Sequence, residues 1–297
     1  MFATILGGLP KPPLPAGAAL DEVIAIAIAA QVEAGLEPVT DGRLAWASLD
    51  DALGARGPAP LEAWRRAAGL TDRAVKASLP GPYSVAVRRR TRANAVEAAR
   101  ELRAIVVELA QAGCPLVEIV EDEAYRIGND PTERAAYRDA HAALTDGVAR
   151  THLSLAIVGG NADGAGIETI LAPAYASLAV DLISGPDNWR LVARAPATCG
   201  IVAGAMGAGP DADEGPELIL FAARYAASTQ GRGLARIGVA VTPGLEGLTW
   251  AAAVRRLEAI GRAARLAGLP PGDELASAVD PRSIDIRTAA MGRRRPR

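Results

Sequence analysis

Eight short apolar runs alternate with stretches of helical periodicity along almost the whole chain, and this alternation constrains the fold more than any other feature. The runs fall at 3–9, 38–41, 74–79, 116–121, 152–158, 178–183, 200–205 and 237–241. Between them, helical spacing covers about 20–34, 61–68, 92–112, 131–145, 167–174, 187–194, 216–228 and 250–267. Strand-then-helix order calls for a parallel sheet. Eight such units in 297 residues predict closure into a single (β/α)8 barrel over 1–268. The remaining 269–297 reads as a C-terminal extension, packed on the barrel or partly disordered. Ile119–Val120 and Ala156–Val158 are apolar on both faces, as a strand between a barrel interior and a helix layer must be. An open doubly wound sheet is the competing arrangement, but no Gly-x-Gly-x-x-Gly follows the first run. Local signals agree with the helix ends. Gly35 and Gly113 close two of them, Asp130 precedes Pro131 as a cap, and Asp187 is placed to cap another.

Half of the residues are hydrophobic, enough for a large core, and a net charge of −2 offers no basic surface for nucleic acid. Two cysteines, Cys114 and Cys199, cannot build a disulfide framework and fit a reducing, cytoplasmic setting. No run is long enough to span a membrane, and the first ten residues lack the basic segment and cleavage motif of a signal peptide. The expected partner is a small-molecule substrate.

In a (β/α)8 barrel the functional residues stand at the C-terminal ends of the strands. The run 116–121 carries the densest chemistry there: Glu118 and Glu121, then Asp122 and Glu123. Period-2 geometry puts Glu118, Val120 and Asp122 on one face. Glu121 and Glu118 are the candidate catalytic carboxylates, because a carboxylate inside a barrel is costly unless paired or in use. The structural alternative pairs Glu118 with a barrel cation such as Lys76 and leaves Asp122 and Glu123 in solvent. Asp41 and Arg43 end the second run and are placed to grip an anionic or zwitterionic substrate, unless they only form an Asp-Gly turn. Ser78 and Tyr83 flank the stiff loop Pro80-Gly81-Pro82. Asn161 and Asp163 follow Gly159-Gly160, where backbone can approach a ligand. Ser78, Asn161 and Asp163 join Asp41 and Arg43 as expected substrate contacts. His152 starts its strand and His141 lies within a helix, so neither suits a nucleophilic triad.

Several segments in order resemble the C-terminal barrel of cobalamin-independent methionine synthase. They are Thr4-Ile-Leu-Gly-Gly-Leu-Pro10, Gly35 through Gly42, Thr71 through Pro82, Glu108-Leu-Ala-Gln-Ala-Gly113, Val117 through Glu121, and Arg236 through Leu245 followed by Trp250. The resemblance implies a fold like that of uroporphyrinogen decarboxylase. It also implies methyl transfer from a folate to a homocysteine thiol that zinc holds as thiolate.

The same resemblance exposes departures. Its zinc ligands would be a His-x-Cys after the fifth run, a Glu after the sixth and a Cys after the eighth. Here those places hold Gly159-Gly160-Asn161, Ser184-Gly185-Pro186-Asp187 and Pro243. A Gly-Glu after the second run becomes Gly42-Arg43, and of an Asp-Glu pair in the fourth only Glu121 remains. The expectation is therefore a methyl or one-carbon transferase-related barrel acting on a small polar or anionic substrate without zinc, with folate as a candidate methyl donor. A non-catalytic binding or regulatory barrel and a decarboxylase-like enzyme are the alternatives.

Overall fold

The computed structural model describes residues 1–15, 17–54, 57–90, 95–209, 215–270, 272 and 275. The element order is β1 (Phe2–Ile5), α1 (Leu20–Glu33), α2 (Pro60–Ala68), β2 (Lys76–Pro80), α3 (Pro82–Arg88), α4 (Ala95–Gln111), β3 (Leu116–Glu121), α5 (Pro131–Thr145), β4 (His152–Ile157), α6 (Ile167–Leu171), β5 (Ser177–Asp181), α7 (Trp189–Arg194), β6 (Gly200–Met206), α8 (Pro216–Ser228), β7 (Ile237–Val241) and α9 (Trp250–Gly268). Seven parallel strands form one curled sheet in the order β1-β7-β6-β5-β4-β3-β2.

The expected second strand, 38–41, is reduced to a single bridge between Val39 and Val75. The cause is a side chain. Gln31 of α1 donates its amide to the Thr40 carbonyl at 2.8 Å and accepts the Thr40 amide at 2.9 Å. Both backbone groups of Thr40 are thereby taken by α1 and are not free for a ladder on that edge. The segment still lies between the sheet edges. The Glu37 amide donates to the Ala3 carbonyl, the Val39 amide to Ala74, and the Lys76 amide to Val39.

Strand register separates two layers. Val120, Ala156, Ala179, Val202 and Gly238 follow one another across β3 to β7 and face the interior. Val117, Ile119 and Leu153 face the helices instead. There Leu102, Val106 and Leu109 of α4 present one stripe at helical spacing, each fully buried. Burying each such side chain contributes on the order of 1.5–3 kcal/mol.

Two local expectations need correction. The stretch after Pro80-Gly81 is not a loop but the short helix α3, with Pro82 pre-set for its first turn. Asp187 does not cap α7, which has no side-chain cap. Its backbone and carboxylate are engaged by Asn161. Asp130 does cap α5, accepting from the Thr132 amide at 2.8 Å. Apart from Leu269, Pro270, Gly272 and Leu275, the C-terminal extension lies outside the described residues.

Candidate functional site

The C-terminal mouth is built from the loops that follow the strands. After the Val39 bridge the chain turns through Asp41-Gly42-Arg43, and Arg43 takes a left-handed backbone with φ of 58°. The Asp41 carboxylate fixes this turn by accepting the Arg43 amide at 2.9 Å. Burial pushes the Asp41 carboxyl above its usual range, while the Arg43 amide and charge pull it back. The Arg43 side chain reaches to the top of β1, where Nη2 donates to the Leu6 carbonyl at 3.3 Å. Its Nε is buried and has no partner among the described residues.

Arg43 lines a cavity of about 260 Å³ together with Gly8, Lys11, Trp46, Ser48 and Glu246. Gly8 lets the first loop approach: a Cβ there would stand 3.1 Å from the Gly42 carbonyl oxygen and 3.5 Å from Arg43 Cβ. Glu246 is held in place by the Gly244 amide, which donates to it at 3.2 Å. Two cations and one carboxylate thus face one small space. That arrangement suits a carboxylate ligand, or a zwitterion with its amino group toward Glu246. Beside the cavity, a 3₁₀ turn at Leu49–Leu53 sets Leu49 against the apolar interior. Arg88 bridges Asp50 and Asp122, which anchors this turn to the end of β3.

The candidate carboxylates are not brought together. Glu118 points into the interior near the N-terminal end of β3. Its Oε2 lies 2.7 Å from Lys76 Nζ, and its Oε1 accepts from Ser78 Oγ at 3.2 Å. Burial pulls the Lys76 ammonium below its usual range, and Glu118 opposes that shift. Glu121, three residues on, faces the helix layer and is closed to solvent. It accepts the Tyr83 amide at 3.0 Å, the Ser84 amide at 2.8 Å, and the Ser84 hydroxyl. His141 Nε2 stands 3.0 Å from its Oε1, and His141 Nδ1 lies 2.7 Å from the Tyr175 hydroxyl. The imidazole thus bridges the Glu121 carboxylate and the Tyr175 hydroxyl. Glu121 therefore caps α3 and pins α5, and it has no path to the mouth.

The other expected contacts divide. Asp41 and Arg43 are at the mouth. Ser78 is in the interior beside Glu118. Asn161 exchanges hydrogen bonds with Asp187, its Nδ2 donating at 3.1 Å and its Oδ1 accepting the Asp187 amide at 2.8 Å. Asp163 pairs with Arg190 at 2.5 Å. Both residues tie the loops after β4 and β5 together. Asp122, read as solvated in the structural alternative, is paired with Arg88. Sequence reasoning missed Lys11, because only the tertiary fold sets it opposite Arg43. It also missed the Arg88 bridge, whose acids lie 38 and 34 residues away.

The positions that the sequence resemblance assigns to zinc lack its usual soft ligands. Gly159, Gly160, Asn161 and Pro243 offer no thiolate or imidazole. Among the described residues no group of three or more His, Cys, Asp or Glu side chains could hold a metal ion. Cys114 and Cys199 precede β3 and β6, at the opposite end of the sheet. Burial pushes both thiols up, Cys114 to about 11.

No family model matches the sequence, and no curated protein matches it. Solved structures do share the fold. A B12-independent methionine synthase from Shewanella sp. W3-18-1 superposes with a TM-score of 0.71 at 14% identity, covering 89% of this chain and 96% of that one. A putative vitamin-B12-independent methionine synthase from Listeria monocytogenes gives 0.69 at 15% identity, covering 89% and 97%. A methyltransferase from Methanosarcina mazei gives 0.51 at 16% identity, covering 82% and 85%. Among the described residues, no helix is long and apolar enough to cross a membrane. The chain thus has the fold of the methionine synthase and methyltransferase barrels, carried by a sequence far from theirs.

Proposed function

We propose that this chain is a methyl or one-carbon transferase-related barrel that takes a small anionic or zwitterionic substrate at its C-terminal mouth and works without zinc. The supporting observation is the Arg43 guanidinium, held in a strained turn with a buried, unpartnered Nε beside a cavity that also carries Lys11 and Glu246. A buried donor without an acceptor costs about 1–3 kcal/mol, and a ligand carboxylate would recover it. In this reading the sheet is an eight-unit barrel with 37–40 as its reduced second stave, and a folate is the methyl donor. The buried free thiols suit a cytoplasmic setting.

Calorimetric titration of the whole chain with L-methionine and L-homocysteine tests the site, and mass-spectrometric methyl transfer from 5-methyltetrahydrofolate tests the reaction. Arg43→Ala is expected to weaken amino-acid binding at least tenfold, about 1.4 kcal/mol. Equal binding by wild type and Arg43→Ala would overturn the mouth site. A second reading, a binding barrel without catalysis, draws support from Glu121, which is sealed behind α3 and α5. Binding without methyl transfer favours that reading.

A further inference from the structure

Barrels of this kind fill their interior with layers of bulky branched side chains, and the N-terminal end is a packed, stabilising face. Here one layer is missing. Strand register aligns Ser78, Glu118, Ser154, Ser177 and Gly200 in a single row across β2 to β6. Glu118, Ser154, Ser177 and Gly200 of this row line a cavity of about 590 Å³ at the N-terminal end of the sheet. Its rim is formed by segments that precede strands, so it opens on the side opposite Arg43. A cleft of that size, open at its rim, has room for a small molecule.

The walls specify what that is. Lys76 and Glu118 neutralise one another at 2.7 Å, so among the described residues this pair leaves no uncompensated charge in the interior. At the rim Glu37 is taken by Arg73, and Arg236 donates to the Thr198 carbonyl. Hydrogen-bonding capacity nonetheless remains. Ser154 is 2% exposed and lines the cavity. Lys76 Nζ uses two of its three hydrogens, on Glu118 and on the Ile5 carbonyl at 2.7 Å. Ser177 Oγ and His152 Nε2 share one hydrogen bond at 2.8 Å. Opposite this row the Phe2 ring lies across Gly238, where a Cβ would stand 2.4 Å from the ring. That glycine keeps an aromatic face in the cavity.

We propose that this cavity is a binding site for a neutral, polyhydroxylated ring compound with one apolar face, of the size of a nucleoside or an aryl glycoside. The ring would stack on Phe2. Its hydroxyl groups would meet Ser154, Ser177 and the spare Lys76 hydrogen. The site is independent of Arg43 and of any reaction at the mouth.

Saturation-transfer NMR on the whole chain, with adenosine and phenyl β-D-glucoside as separate probes, tests this. Transfer to at least one probe is expected, and which one responds distinguishes a nucleoside from a glycoside. Ser154→Leu, which places a branched side chain in the cavity, should abolish transfer while the protein melts at the same temperature or higher. Arg43→Ala should leave transfer unchanged. Should Ser154→Leu fail to fold, Ser177→Ala and Phe2→Ala each replace it, with an expected fivefold or greater weakening. Absence of transfer to both probes in the wild type overturns the proposal, as does transfer that survives these substitutions in folded protein.

Discussion

The Nε2 of His141 on α5 stands 3.0 Å from Oε1 of Glu121 at the end of β3, and neither side chain is open to solvent. β3 and the helix α5 that follows it are joined through one carboxylate, which also serves the first turn of α3. Glu121→Ala removes the acceptor for two amides, a hydroxyl and an imidazole. The expected loss is roughly 3–5 kcal/mol of folding stability, read from urea denaturation. Ligand affinity at the mouth should be kept by the folded fraction. Loss of binding without loss of stability would return Glu121 to a direct role.

Gly81 exists to make room for that carboxylate. A Cβ at this position would stand 2.2 Å from Glu121 Cδ. Gly81→Ala is expected to cost about 1–3 kcal/mol by overpacking. In the Glu121→Ala background the same substitution should cost much less. A double-mutant cycle by chemical denaturation measures this coupling, and strict additivity would contradict it.

Lys76 and Glu118 form a buried pair whose side chains are 1% and 3% exposed. Lys76→Met leaves an uncompensated carboxylate and should cost about 3–5 kcal/mol. Lys76→Met combined with Glu118→Leu should recover most of that loss. Thermal and urea unfolding of the three proteins decide the point.

Asp41 supplies a pH signature. Its folded pKa is raised above 3.8, chiefly by burial. The folded state therefore binds the proton more tightly than the unfolded state. The resulting stability is fully present below the unfolded value and is lost as pH rises through the raised folded one. Asp41→Asn keeps an acceptor for the Arg43 amide and removes the titration. The variant should gain stability relative to wild type as pH rises from the unfolded-state value of 3.8 through the raised folded one. Melting temperatures across that range provide the comparison, and parallel curves would rule the effect out.

Backbone periodicity and end signals were enough to read most of the fold. β3 and β7 match their predicted bounds, α8 begins at the expected Pro216, and Asp130 caps α5. These features depend on neighbours within a few residues, so one sequence determines them. The Lys76–Glu118 pair was also legible as one alternative, because period 2 fixed which way Glu118 points. The second strand was not. There Gln31, a buried helix residue, takes the Thr40 backbone groups that a strand would otherwise offer on one edge. Glu121 was read as a mouth residue because its local pattern is the same on either face of a buried strand. Only the packing of α3 and α5 against it decides that it is structural. The sequence alone thus determined the repeating strand–helix units and placed Arg43 at the end of one. The tertiary structure decided which charges meet: Glu121 with His141, Glu118 with Lys76, and Arg43 with a cavity, its Nε without a partner among the described residues. Those pairings depend on how neighbouring strands and helices pack, where burial makes an unmatched charge costly.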